Sequence, residues 1–154
     1  MKIIKANASH AESAYQIRHQ AIWAHCIHHY DNQLLQCWTA GEMSPEFIAD
    51  VQQHYYLCVV NEQISATGMI DLKQGKVDAI FVHPNFMRQG IASAILTFLE
   101  QQAIAIGIKQ ISLEATLNAA PFYRKCGFIG DTVSQYQSPR GFQLDCIPMT
   151  KCLF

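Results

Sequence analysis

The chemistry-bearing residues of this chain gather in two segments. The first is "HPNFMRQGIASAI", residues 83–95, where Arg88 precedes Gly90 and small residues follow. The spacing predicts a strand ending at Val82, a tight loop, and a helix opening near Gly90. The first amides of such a helix have no intrahelical acceptor and carry the positive end of the helix dipole. Gly90 removes a side chain that would block close approach, and Ala92 keeps the next turn small. A loop of this kind can hold a phosphate or diphosphate by backbone N–H groups, with Arg88 adding charge. A glycine at a strand–helix junction can also be a turn and nothing more. The loop is not a nucleotide P-loop, because no Gly-Lys-Ser/Thr follows, and it lacks the further glycines of a dinucleotide fingerprint.

The second segment is "ISLEATLNAAPFYRKCGF", residues 111–128. Strand alternation puts Glu114 with Ser112 and Thr116, opposite Leu113 and Ala115, so Glu114 faces either a polar cleft or solvent. Asn118 can cap the helix that follows, with Pro121 in its first turn and Gly127 past its end. Tyr123, taken alone, is a helix aromatic with a buried ring and a hydroxyl at the rim. A third cluster, His25, Cys26, His28 and His29, has no ligand set at zinc spacing and reads as a polar loop or plain surface. Trp23, Tyr30 and Trp38 nearby either line a pocket or pack in the core. His83, before Pro84, is a strand-end residue.

These segments need elements to position them. "KIIKA" reads as a strand, and Ser9 with Glu12 as a capping box opening a helix that turns Ala14, Ile17, Ala21 and Ile22 to one face. That helix fades around "HCIHHYDNQ". Ser44-Pro45-Glu46 opens a second helix, with Phe47, Ile48 and Val51 on its apolar side. "YYLCVV", "ISATGMIDL" and "VDAIFV" are strands separated by turns. Ile91, Ile95, Phe98 and Leu99 mark the helix after Gly90, and Gly107 stops it. "QISLEAT" is a strand, and "TVSQYQ", "SPRG" and "FQLDCIPM" form a terminal hairpin. The predicted order is β-α-α-β-β-β-α-β-α-β-β. That is an α/β layout of the α+β type, with a mixed, mostly antiparallel central sheet flanked by helices on both faces.

Composition bounds the partners. The chain has 154 residues, enough for a single domain (1–154) with a substantial core. A charged fraction of 15% and a net charge of −1 exclude a general nucleic-acid binder or a basic membrane surface. "MKIIKANASH" has no apolar core or cleavage pattern, so it does not read as a signal peptide, and no segment approaches a membrane span. The six cysteines form no CxxC pair, as expected of a reduced, cytoplasmic protein. The expected partner is a small-molecule or peptide amine, and the terminal hairpin offers an edge for a homodimer.

The two motifs together resemble the GNAT superfamily of acyl-coenzyme A-dependent N-acyltransferases. The family's phosphate loop, Gln/Arg-x-x-Gly-x-Gly/Ala, is matched by Met87-Arg88-Gln89-Gly90-Ile91-Ala92. Met87 stands where the family has Gln or Arg. The later signature runs from Asn118 through Phe122-Tyr123 to Gly127-Phe128. The resemblance is specific over residues 76–128 and loose over residues 1–55.

It implies an acetyltransferase acting on a primary amine with acetyl-coenzyme A as co-substrate and no metal. Backbone groups of Phe81 and Val82 would pair with the pantetheine amides, Arg88, Gln89, Gly90, Ile91, Ala92 and Ser93 would hold the diphosphate, and Asn118 would touch the pantetheine arm. Tyr123 would protonate the departing thiolate, and a backbone N–H near Val82 would face the oxyanion. Glu114 is the expected general base, with Asp78 or a water relay as alternatives. The acceptor pocket would be built from residues about 20–45 and the terminal hairpin. The alternative function is a catalytically silent module of the same fold that senses acyl-coenzyme A.

Overall fold

Strand β2 (Tyr55–Val60) shows how the molecule is layered. Its side chains alternate: Tyr55 and Leu57 join one apolar cluster, Tyr56 and Cys58 another on the opposite face. A sheet apolar on both faces must be covered on both. In a computed structural model describing residues Met1–Phe154, helices do so. The sheet has seven strands in the order β1-β2-β3-β4-β5-β7-β6. They are β1 (Lys2–Lys5), β2, β3 (Gln63–Asp71), β4 (Lys76–Val82), β5 (Gln110–Thr116), β6 (Ser134–Gln137) and β7 (Gln143–Cys152). Only the β4–β5 pair is parallel, so the mostly antiparallel arrangement expected from the sequence is present.

Helices α1 (Ala11–Cys26), α2 (Asn32–Thr39) and α3 (Pro45–His54) lie on one face, and α4 (Ile91–Ala105) and α5 (Ala120–Lys125) on the other. The larger core sits under α4, where Ile91, Ile95 and Leu99 meet Val77, Ile111 and Leu113. Gly68 of β3 permits that approach. A Cβ there would lie 2.4 Å from Ile95 Cγ2 and 3.3 Å from Leu99 Cδ1.

Two local expectations are corrected. Three helices, not two, separate β1 from β2. The added one, α2, is capped by Asp31, whose side chain accepts the Gln33 N–H at 2.8 Å. It buries Leu35 and Trp38 against α1. The first helix is entered through Asn7 rather than a Ser9–Glu12 box. Asn7 Oδ1 accepts the Ser9 N–H at 2.9 Å, and His10 Nδ1 accepts the Asn7 N–H at 3.1 Å. A short 3₁₀ turn over Ala8–His10 intervenes, which moves the cap upstream.

The feature that creates the site is a failure of pairing. β4 and β5 share a single ladder position, Lys76 with Ser112. The Ser112 amide also donates to the Gly75 carbonyl at 2.9 Å. Beyond that point β4 turns away. Its register against β3 shifts between Thr67 and Met69, and Ala79 adopts φ 53°. This bulge is held by the buried Thr67, whose hydroxyl donates to the Ala79 carbonyl at 2.7 Å.

Candidate active site

Three cavities run end to end through the opening between β4 and β5. The outermost, about 250 Å³, lies at the N-terminus of α4. Arg88, Gly90, Ile91, Ala92 and Ser93 line it. Arg88 and Gly90 take φ values of 64° and 75°, a left-handed pair that curls the loop. The amides of residues 88–93 donate to no protein acceptor, the first intrahelical bond being Ala94 N–H to the Gly90 carbonyl. A Cβ on Gly90 would meet nothing within 4 Å, so the loop stands open. Unpaired amides around open space fit a diphosphate. Gln89 is exposed in the loop and does not line the cavity.

The middle cavity, about 510 Å³, shares Val82, Met87, Ala92 and Phe122 with the first. Phe81 and Val82 form one wall, and Asn118 and Tyr123 the other. α1 closes it from above. His25 Nε2 donates to the Val82 carbonyl at 3.1 Å. The Cys26 thiol donates to Asn118 Oδ1 at 3.3 Å, and burial pushes that thiol up to about 12, so it stays protonated and unreactive. Asn118 therefore contacts α1 and does not cap α5, whose N-cap residue is Ala119. The Tyr123 ring is buried, with centroids 5.2 Å from Phe122 and 5.6 Å from Phe128. Its hydroxyl has no protein hydrogen-bond partner. Burial first, and the Asp78 carboxylate second, push the phenol well above its ordinary pKa. It is a neutral O–H donor at physiological pH.

The innermost cavity, about 190 Å³, shares Phe81 and Thr116 with the middle one. Glu114 lies here, on the face of β5 that its alternation with Leu113 and Ala115 requires. Its Oε1 accepts from Lys76 Nζ at 2.6 Å. Asp78, one strand away, lines the same cavity, and its Oδ1 accepts the Ala79 N–H at 2.7 Å. Asp78 as a whole residue is exposed. Protein crowds the carboxylate although a water can touch it, and burial raises its pKa above 3.8.

Arg18, Tyr55 and Tyr136 complete the chamber together with Trp38. Sequence reasoning singled out Trp38 but missed Arg18, Tyr55 and Tyr136, which sit on three separate elements. Tyr30 braces the arrangement, donating to the Asp145 carbonyl at 2.6 Å and accepting the Leu117 N–H at 3.0 Å. His83 holds the end of β4, its Nδ1 accepting the Asn85 N–H at 3.0 Å. Trp23 Nε1 donates to Thr39 Oγ1 at 3.0 Å, a bond between α1 and α2.

Comparison with known proteins agrees with this architecture. The family model described as "Acetyltransferase (GNAT) domain" matches residues 22–153. The chain is 27% identical over 107 residues to the uncharacterized N-acetyltransferase YafP of Escherichia coli (strain K12), a match covering 70% of this chain and 65% of that protein, just under two thirds of its length. A GCN5-related N-acetyltransferase structure from Rhodopseudomonas palustris superposes with a TM-score of 0.91 at 19% identity, covering 98% of this chain and 94% of that one. The PaiA N-acetyltransferase of Thermoplasma acidophilum, solved with coenzyme A, gives 0.73 at 14% identity over 98% of each chain. With the family model covering most of its length and the splayed β4–β5 pair at its centre, the chain belongs to the GNAT family of acetyltransferases.

Proposed function

We propose that the chain transfers an acetyl group from acetyl-coenzyme A to a primary amine by direct attack. The observation that carries this reading is the continuity of the three cavities, from unpaired amides at α4, past a buried phenol, to a chamber holding two carboxylates. The coenzyme A bound to the Thermoplasma acidophilum relative supports the same co-substrate here. In this reading the amides of residues 88–93 hold the diphosphate, and Arg88 adds a charged contact. Phe81 and Val82 offer the pantetheine their backbone edge, which β5 leaves unpaired, and Asn118 flanks the arm.

The acceptor enters as an ammonium ion, with a pKa of roughly 10 in water, and has no lone pair until it loses a proton. Asp78 is the better-placed base, because burial makes its carboxylate more basic, while one oxygen of Glu114 is engaged by Lys76. Glu114 then draws the cation into the chamber. The amine nitrogen attacks the thioester carbon, and a backbone N–H of β4 near Val82 faces the developing oxyanion. As the C–S bond breaks, Tyr123 donates its proton to sulfur and coenzyme A leaves as the thiol. The nitrogen, cationic after its attack, loses its remaining extra proton to water as the amide forms, and the phenolate is reprotonated from solvent. Six free cysteines support a reducing, cytoplasmic setting.

The test pairs calorimetry of acetyl-coenzyme A binding with an assay of thiol release over a panel of primary amines. Binding with amine-dependent release is the expected result. Binding without release from any amine would leave a silent acyl-coenzyme A sensor. No binding would remove the diphosphate site as well.

A further inference from the structure

Arg18 is the one cationic group lining the innermost chamber, and the proposed transfer does not use it. It projects from α1, and its Nη2 donates to the Trp38 carbonyl at 3.0 Å. Its Nη1 is buried with no hydrogen-bond partner. A guanidinium N–H left unsatisfied in a folded interior is costly and calls for an acceptor. No carboxylate of the protein supplies one. The only ion pairs within 4.0 Å are Lys76–Glu114 and Lys151–Glu100.

Arg18 also shares its surroundings with a second cation. Its Cζ lies 5.8 Å from the centroid of the Tyr15 ring, and Arg140 Nη2 donates to the hydroxyl of the same tyrosine at 3.1 Å. Burial and the nearby Arg140 both lower the pKa of Arg18, as expected of uncompensated positive charge. The same chamber carries the carboxylates of Asp78 and Glu114 on β4 and β5. The site therefore has a negative side, next to the middle cavity, and a positive side on α1.

Resting on the transferase reading above, the geometry points to an acceptor that carries an acidic group as well as its amine, with the Arg18 guanidinium binding that anion. The amine lies toward Phe81 and Thr116, where the chamber meets the middle cavity, and the anion toward α1. A volume of about 190 Å³ is below the roughly 300–1,000 Å³ of drug-sized pockets and suits one free amino acid. A polyamine has no use for Arg18, since its second cation would meet a guanidinium.

The experiment uses the twenty free L-amino acids, each against its own carboxamide, with spermidine as a dicationic control. Thiol release from acetyl-coenzyme A is measured, together with the melting temperature of the coenzyme A complex with each amine. At least one amino acid should exceed its amide in kcat/KM by about tenfold or more, the worth of a hydrogen bond to a charged group. Arg18→Met should erase that ratio by slowing the acid alone, mostly through KM, while the calorimetric Kd for acetyl-coenzyme A stays within about twofold, which also reports that the variant folds. Equal use of acids and amides, preference for spermidine, or a ratio unchanged in Arg18→Met would overturn the inference and leave the transferase reading standing. If no amine is turned over but an amino acid raises the melting temperature in wild type and not in Arg18→Met, the anion site stands and the transferase reading fails. If no amine, spermidine included, is turned over and no amino acid raises the melting temperature, both fail.

Discussion

Replacing Tyr123 with Phe removes one hydroxyl and nothing else, and the structure separates its two consequences. The hydroxyl makes no protein hydrogen bond, so its loss leaves no buried partner stranded. The ring contacts with Phe122 and Phe128, at 5.2 and 5.6 Å, survive in phenylalanine. Stability should change by less than about 0.5 kcal/mol, a shift of no more than about 2 °C in Tm for a chain of this size. Affinity for acetyl-coenzyme A should hold as well, because the amides of residues 88–93 and the edge of β4 are untouched. Catalysis is different. A general acid contributes about 10²–10⁴ in rate, or roughly 3–5 kcal/mol of barrier, when the leaving thiolate cannot depart unprotonated. The expected outcome is a kcat at least about a hundredfold lower, with Kd and Tm unchanged, measured by thiol release, calorimetry and thermal melting. A kcat within about threefold of wild type would refute the acid role outright. A large fall in Tm would mean that the hydroxyl has a structural partner.

Three further outcomes follow from the same geometry. Asp78→Asn keeps the acceptor oxygen for the Ala79 N–H but abolishes the charge, so acetylation should fall by about a hundredfold or more. Because burial raises this carboxyl above 3.8, the folded state holds the proton more tightly than the unfolded chain. Wild type therefore loses stability as pH rises through that window, and the Asn variant should melt higher at pH 7 but not below pH 3.8, as melts across pH would reveal. Gly68→Ala should cost about 1–3 kcal/mol in a denaturant titration, since the new methyl would lie 2.4 Å from Ile95 Cγ2 beneath α4; an unchanged midpoint would mean that α4 shifts freely. His25→Ala frees the Val82 carbonyl from a bond worth about 0.5–1.5 kcal/mol, so acetyl-coenzyme A should bind about two- to tenfold tighter by calorimetry. A weaker Kd would indicate that this carbonyl is not a ligand contact.

Most of the framework was readable from local patterns. The left-handed Gly90, the helix with Ile91, Ile95 and Leu99 on its core face, and the alternation that turns Glu114 away from Leu113 follow from sterics and periodicity among near neighbours. The α2 helix was not readable. Its eight residues bury only Leu35 and Trp38, and so short a helix owes its stability to packing on α1 rather than to propensity. The Asp31 cap was a signal, but it lay within a polar run that resembles a loop.

The chemistry of the innermost chamber belongs to tertiary structure. "VDAIFV" carries no mark that it pairs with β5 at one position and then parts from it; Thr67, on another strand, holds the bulge that separates them. Asp78 becomes more basic only because distant elements crowd its carboxylate, and Arg18 keeps an unpaired Nη1 only because the folded chain hydrogen-bonds no carboxylate to it. Backbone conformation is set by residues a few positions apart, so a sequence can announce it. Desolvation and charge pairing depend on groups that meet only when the chain has folded.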